Sequence, residues 1–337
     1  MTFRFWKFFT MMCILLGAFL LQISSDRSGH RRTSINQGHQ ALPSQWQHDY
    51  CTQAMGTLLD SRPATQWPPL CPLPDSQRAP FEHAGMPMGR AQCFAQRYEG
   101  ELVLNWSSAF IDSYCADVAA DGGGTYGPYL LKYLRSGLRS VLLGDDSEGN
   151  GVRGASGLVM GSERPWVECL LLNEGARLVT TFEYASINSG DERLRTPSLR
   201  TIASDALTGT LAPVDIIVSF SSLEHSGLGR YGDALNPDGD RDAVAQAWCM
   251  LRPGGVFLLA VPMTCTETGE IVFNAHRVYG FERLAYIATH FLLEGFVGGS
   301  CEENSQPIVI LRKPRELIHE PTPLSASDFA WAASRGS

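Results

Sequence analysis

The chain has 337 residues, a formal net charge of −8 and an apolar fraction of 44%. That length accommodates one large domain with a substantial extension, or two small ones. The mildly acidic balance provides no electrostatic footprint for nucleic acid, which excludes it as the expected partner.

Arg4 and Lys7 precede an apolar stretch at 8–23; at about 16 residues it is short but sufficient to span a membrane. No A-x-A-like cleavage site follows, so residues 1–25 are expected to form a retained signal anchor, with a cleaved signal peptide as the alternative. Arg27, Arg31 and Arg32 balance the charges on the other side and leave the orientation open. Residues 26–45 are polar, without apolar period, and read as a flexible stem.

Residues 46–125 read as an irregular, Cys- and Pro-rich extension that packs on the main domain. Cys51, Cys71, Cys93 and Cys115 recur there at about 20-residue intervals, a pattern compatible with disulfides in an oxidising lumen. The sequon Asn105-Trp106-Ser107 points the same way. Cys169 and Cys249 fall in amphipathic helices and are expected as free core thiols. No pair has C-x-x-C spacing, so no metal centre is expected. The expected setting is the secretory pathway, as a single-pass Golgi protein with its domain in the lumen or as a secreted one.

The main domain is assigned to 126–315, with a tail at 316–337. Residues 126–138 form an amphipathic helix, with Tyr129, Leu130, Tyr133 and Leu134 on one stripe. A regular alternation follows: a strand at 157–161, a helix at 165–174 with Pro165 in its first turn, and a strand at 177–182. Residues 199–203 form a weaker strand before Asp205, and 215–220 a strong one. A helix spans 241–251, with Val244, Ala247, Trp248 and Leu251 on one face, then a continuous apolar strand at 256–261. A helix at 281–292 and a strand at 308–311 close the series. The expected fold is an α/β, doubly wound, mostly parallel sheet of Rossmann-like type, in which ligands collect at the carboxyl ends of the strands.

Glu183 ends the second strand, about 20 residues beyond the turn at Gly161, the spacing at which an acid meets ribose hydroxyls in dinucleotide-binding folds. The turn Gly161-Ser162-Glu163-Arg164-Pro165 lacks G-x-G-x-x-G, which disfavours a pyrophosphate cofactor and leaves a nucleoside without phosphates. His225, at the sheet's carboxyl edge after the fourth strand, is the best-placed base; the alternative is a structural His that organises its loop. His276 and Arg277, in Asn274-Ala275-His276-Arg277-Val278-Tyr279-Gly280, face the same cleft or hold their loop together. Glu224, Arg277 and Tyr279 are the expected acceptor contacts. Asp238, Asp240 and Asp242 alternate in NPDGDRDA and read as a helix-capping turn rather than a Ca²⁺ loop.

LRPGGVFLLAVP, preceded by DIIVSF and a loop with Glu224-His225, resembles the latter half of class I S-adenosylmethionine-dependent methyltransferases. More narrowly, GSERPWVE with VTTFEY, SLEHSGLGRYGDALNPDGD and FNAHRVYG resemble a domain-of-unknown-function family first collected from nematode proteins, over about 140–314. The resemblance implies S-adenosylmethionine as cofactor, with Gly161 beside its amino-acid moiety, Glu183 on the ribose, Asp205 near the adenine and Ser221, Ser222 and Leu223 along it. Here the turn departs from the pattern: one glycine stands where methyltransferases carry several, followed by Glu163 and Arg164.

Three functions follow in order. The first is a membrane-anchored methyltransferase acting on a small or glycan acceptor, with His225 and His276 as catalytic groups. The second is a catalytically silent methyltransferase-like binding module, motivated by the glycine-poor turn. The third is a Golgi glycosyltransferase, suggested by the anchor-plus-stem layout and ranked last because Asp238-Gly239-Asp240 sits in a loop after Pro237.

Overall fold

A computed structural model of the chain describes residues 45–60, 70–94, 103–141, 143, 151–298, 306–316 and 322–334. The expected span at 8–23 and nearly all of the stem lie outside them. Among the described residues no helix is long and apolar enough to cross a membrane.

In chain order the elements are α1 (Gln45–Asp60), α2 (Asp75–Arg78), β1 (Met88–Ala91), β2 (Val103–Trp106), α3 (Ser108–Ala119), α4 (Pro128–Ser140), β3 (Ser156–Met160), α5 (Trp166–Asn173), β4 (Leu178–Phe182), β5 (Ser186–Ser189), β6 (Leu194–Arg195), α6 (Leu199–Thr208), β7 (Val214–Phe220), α7 (Gly239–Met250), β8 (Leu251–Ala260), β9 (Glu270–Phe273), β10 (His276–Val278), α8 (Phe281–Ile287), β11 (Leu292–Val297), β12 (Ile308–Arg312) and α9 (Ala326–Ala333).

Seven strands form the main sheet in the order β11-β12-β8-β7-β3-β4-β6. The five from β8 to β6 run parallel, and β12 and β11 add an antiparallel hairpin at one edge. The winding reverses at β3: β4 and β6 stack on one side of it, β7 and β8 on the other. Such a switch point opens a crevice beyond the carboxyl ends of β3 and β7.

The period-2 pleat divides each strand between two buried faces. Leu158, Met160, Ile217, Phe257 and Leu259 meet Met55 and Leu58 of α1, Ile202 of α6, Trp248 of α7, Leu284 of α8 and Phe329 of α9. Val159, Ile216, Val218, Val256 and Leu258 meet Ile111 of α3, Leu131, Leu134 and Leu138 of α4 and Leu170 of α5. A smaller core beneath the three-stranded sheet β1-β9-β10 joins Phe81, Met86 and Phe273 to Leu228 in the loop after β7.

Two expectations are corrected. Residues 199–203 belong to helix α6, not to a strand: the Ser198 side chain accepts from the Thr201 N–H, and Gly209 ends the helix at φ +72°. These are ordinary start and stop devices, and they outweigh the β-branched Thr201 and Ile202. Cys169 and Cys249 are half-cystines, because packing brings α5 against α3 and α7 against α1. Cys115–Cys169 and Cys51–Cys249 have Cα separations of 4.7 and 5.5 Å, within bonding range. Cys71–Cys93 closes a third loop, and α1 itself occupies chain that reads as irregular.

Candidate functional site

The crevice is built first from the turn after β3. Gly161 adopts φ +77°, and a Cβ there would lie 1.8 Å from the Ser222 Oγ, so a side chain is barred by both backbone and space. Its N–H donates to the Phe182 carbonyl at 2.9 Å. The next N–H, of Ser162, donates to the Glu183 Oε2 at 2.7 Å, and the Tyr184 N–H donates to Oε1 at 2.7 Å. Turn and strand-end acid therefore form one unit. Burial, reinforced by Glu163, pushes the Glu183 carboxyl up against the lowering effect of these N–H donors. Tyr184 is 64% exposed, yet burial, then Asp233, Glu183 and Asp242, push its hydroxyl up to about 12.

Beneath the turn lies Glu168, fully buried in the first turn of α5. It accepts from the Ser162 Oγ at 3.0 Å and the Thr181 Oγ1 at 2.9 Å, and burial pushes it up to about 7.

The opposite wall follows β7. Ser221 takes φ +51°, a left-handed conformation that is uncommon outside glycine and concentrates at functional sites. Its hydroxyl donates to the Glu224 Oε1 at 2.7 Å and accepts from the Gln306 amide at 3.1 Å. Glu224 is buried and pushed up to about 7 by desolvation; its Oε2 has no hydrogen-bond partner among the described residues. The His225 Nδ1 lies 2.5 Å from the Ala275 carbonyl, which assigns the proton to Nδ1 and leaves Nε2 a lone pair, 3.6 Å from the Glu224 Oε1. Burial, with Arg230, His276 and Arg277, lowers His225 to about 4. The His276 ring stands 6.4 Å from that of His225, half-buried and lowered by the same desolvation. Arg230 lies over the rings of Phe94 at 4.5 Å and Tyr231 at 5.1 Å. Asp233 shapes the loop by accepting from the N–H groups of Gly227, Gly229 and Tyr231.

The structure thus gathers Gly161, Glu183, Ser221, Ser222, His225 and His276 at one crevice. Leu223 turns into the core at 2% exposure and offers a ligand at most its backbone. Glu224 is at the crevice wall but buried, so it does not present itself to an acceptor as expected.

Three expectations fail on geometry. Arg277 is fully buried, donating to the carbonyls of Ser226 at 2.6 Å and Pro237 at 3.1 Å, with its Nε 3.6 Å from Asp240. Tyr279, also buried, donates to the Asp240 Oδ2 at 3.1 Å. Neither reaches an acceptor, because His276 and Arg277 are successive residues of a strand and point to opposite faces. Asp205 lies in the last turn of α6, at the end of the helix that leads into β7 and so at the amino edge of the sheet; its Oδ1 accepts from the Thr210 hydroxyl. Of the acidic loop only Asp240 is internal, accepting from Arg283 at 2.6 and 3.0 Å, while the partly exposed Asp238 meets Arg283 and His83. Sequence reading missed Glu168, Tyr184, Arg230 and Asp233. For Asp233 alone there was a signal, the spaced glycines Gly227, Gly229 and Gly232 around a single acid.

Residues 154–316 match the family model described as "Caenorhabditis protein of unknown function, DUF268". The resemblance read from the motifs holds for this segment. No curated protein matches the chain. Among solved structures, similarity is found to 1,6-didemethyltoxoflavin-N1-methyltransferase of Burkholderia thailandensis, with bound 1,6-didemethyltoxoflavin and S-adenosylhomocysteine (21% identity, 48% of this chain and 72% of that one, TM-score 0.38). N-methyltransferase NodS of Bradyrhizobium japonicum WM9, in complex with S-adenosylhomocysteine, is similar at 16% identity (61% and 99% covered, TM-score 0.38). So is a protein of Lactococcus lactis named as a hemolysin, at 15% identity (55% and 89% covered, TM-score 0.35).

Proposed function

We propose that this domain binds S-adenosylmethionine in the switch-point crevice and transfers its methyl group to an acceptor held between His225 and His276. The observation that carries the reading is the 2.7 Å hydrogen bond from the Ser162 N–H to the Glu183 carboxylate, which sets a strand-end acid against the turn at the switch point. The residues fit the nucleoside end of that cofactor. The Glu183 Oε2, which accepts only from the Ser162 N–H, keeps a second lone pair for a ribose hydroxyl, whereas Oε1 accepts from both Tyr184 and Ala185, and the exposed Tyr184 ring beside it offers a face for the purine. Glu163, Glu183, Asp233 and Asp242 lie around this side, a charge that suits a cationic ligand. When bound, the cofactor supplies an electrophilic methyl group. The chain's own part is positioning, and removal of the acceptor's proton at the His225 Nε2, the one ring nitrogen of His225 that carries no proton. The disulfides Cys51–Cys249, Cys71–Cys93 and Cys115–Cys169 support an oxidising compartment as the site of action.

A specific observation favours a silent binding module instead: the Ser222 side chain, not open space, lies against Gly161. One experiment separates the two. The disulfide-intact chain is titrated with S-adenosylmethionine by calorimetry; a saturable 1:1 heat with a rise in Tm supports methyl transfer, whereas no heat and no shift leave the binding module.

A further inference from the structure

We propose that Glu224 is the proton store of this site: His225 takes the acceptor's proton at Nε2 and passes it to the buried Glu224 carboxyl, from which Ser221 relays it to the Tyr126 hydroxyl and solvent. The inference rests on the reading above and assigns Glu224 a role other than contact with the acceptor.

The geometry is a chain of proton-carrying groups. The His225 Nε2 is 3.6 Å from the Glu224 Oε1, an ion-pair distance that one small ring movement turns into a hydrogen bond. The same oxygen receives the Ser221 hydroxyl at 2.7 Å. Beyond Ser221 stands the Tyr126 phenol, beside the Ser221 hydroxyl and 43% exposed. The strained φ of Ser221 is what turns its hydroxyl back toward Glu224 from the end of a strand. A buried carboxyl with one oxygen lacking a partner is costly, and a site that must accept and release a proton gives a reason for it.

The balance is simple. As the acceptor's lone pair forms the new bond to the methyl carbon, the carbon–sulfur bond breaks with its electron pair left on sulfur. The acceptor's proton moves to Nε2, then to a Glu224 oxygen, while Ser221 accepts from Glu224 and gives up its own proton toward Tyr126. Burial supports the order: it pushes Glu224 up to about 7 and lowers His225 to about 4, so Glu224 is the stronger base of the pair and His225 a conduit rather than a store. The charged groups facing Glu224 are Arg230 and Arg277, which lower it, with His225 beside it and the phenols of Tyr126, Tyr231 and Tyr279 around it. Asp240, behind Arg277, is neutralised by Arg283.

The test is an NMR titration of the full, disulfide-intact chain carrying ¹³C-carboxyl glutamate and ¹⁵N-imidazole histidine. The expected result is a Glu224 signal, assigned by its loss in Glu224→Gln, with a midpoint within about one unit of 7, and a His225 Nε2 shift that follows the same midpoint. In Glu224→Gln the inflection near 7 disappears from His225; in Ser221→Ala the Glu224 midpoint moves up. A Glu224 that stays ionised from pH 5 to 9, or a His225 indifferent to it, overturns the proposal. Calorimetry with S-adenosylhomocysteine runs alongside. A Tm and circular-dichroism spectrum of Glu224→Gln close to those of the wild type show an intact fold, and if that variant does not fold, Ser221→Ala carries the titration through the shifted Glu224 midpoint and the His225 Nε2 signal that follows it. Absence of binding by the wild type sinks the methyltransferase reading and leaves the titration result standing by itself.

Discussion

Removal of the Glu183 carboxylate is the sharpest perturbation of the proposed cofactor site. In Glu183→Ala the crevice loses the acceptor to which the N–H groups of Ser162 and Tyr184 donate at 2.7 Å, together with the lone pairs assigned to ribose hydroxyls. Hydrogen bonds to a charged acceptor contribute about 1.5–3 kcal/mol net. The affinity for S-adenosylmethionine should therefore fall on the order of 10- to 150-fold, at about 1.4 kcal/mol per decade. Because the carboxyl is only partly buried, the N–H groups of Ser162, Tyr184 and Ala185 left behind can reach water, so the variant stays folded. Glu183→Gln, which keeps one acceptor oxygen and loses the charge, should fall between the two. Asp205→Ala serves as the control, since Asp205 lies at the far edge of the sheet, and it should bind as wild type does. The assay is calorimetric titration at constant salt and pH. If wild type binds and Glu183→Ala binds within about twofold of it, Glu183 is not on the ribose and the crevice has been read the wrong way round.

Other expectations concern the frame that holds the site. Asp240→Ala strands Arg283 and Arg277 in the interior without their carboxylate and should cost about 3–5 kcal/mol in urea unfolding. Replacing Cys51 and Cys249 together with Ala frees α1 from α7 across a 198-residue separation; a loss of about 2–5 kcal/mol is expected, read as a lower Tm without loss of the central sheet's circular-dichroism signal. Lys313 is buried, bonds the carbonyls of Trp248 and Leu251 at 2.8 Å, and is lowered by burial from the ordinary lysine range to about 7. Between about 7 and 10 the unfolded chain then holds a proton that the folded chain has lost, so wild-type stability should rise with pH by up to about 1.4 kcal/mol per unit relative to Lys313→Met. A pH-independent difference between the two would refute the lowered titration.

The parallel strands were legible because burial on both faces makes them nearly continuous apolar runs. The expected strands at 157–161, 177–182 and 215–220 fall within a residue or so of β3, β4 and β7, and the antiparallel β12 follows the expected 308–311 as closely. What the pattern could not separate was α6 from a strand, since the five residues Leu199, Arg200, Thr201, Ile202 and Ala203 fit either period; Ser198 and Gly209 were the deciding signals. The N-terminal extension was read as irregular because prolines dominate its composition, although α1 sits just before them and buries Met55 and Leu58. The cysteines show a different limit. A helical position that favours burial is the same for a thiol and for a half-cystine, and only the packing of α1 on α7 and α3 on α5 distinguishes them. At the site, the structure brings the rings of His225 and His276 to 6.4 Å, while Arg277 and Tyr279 turn the other way, because side chains alternate along β10 and the residue after it.

The single glycine of the turn after β3 also acquires a physical reading. Several glycines are needed where backbone must approach phosphates closely, and the proposed cofactor has none. In this turn the side chain of Ser162 points inward to Glu168, and that inward bond leaves its N–H free to serve Glu183. The Glu163 carbonyl is taken by the Trp106 indole at 3.3 Å. Gly161 is demanded by the approach of Ser222, a contact within the protein. The departure from the glycine pattern of methyltransferases therefore has two distinguishable consequences. If Ser222 blocks the crevice, Ser222→Gly should create or strengthen binding of S-adenosylmethionine; if Ser222 is part of the wall that holds it, the same change should weaken binding and leave Glu183 as the stronger determinant. Calorimetry on that one variant decides whether the turn is a closed site or a differently built one, and the proposed function requires the second outcome.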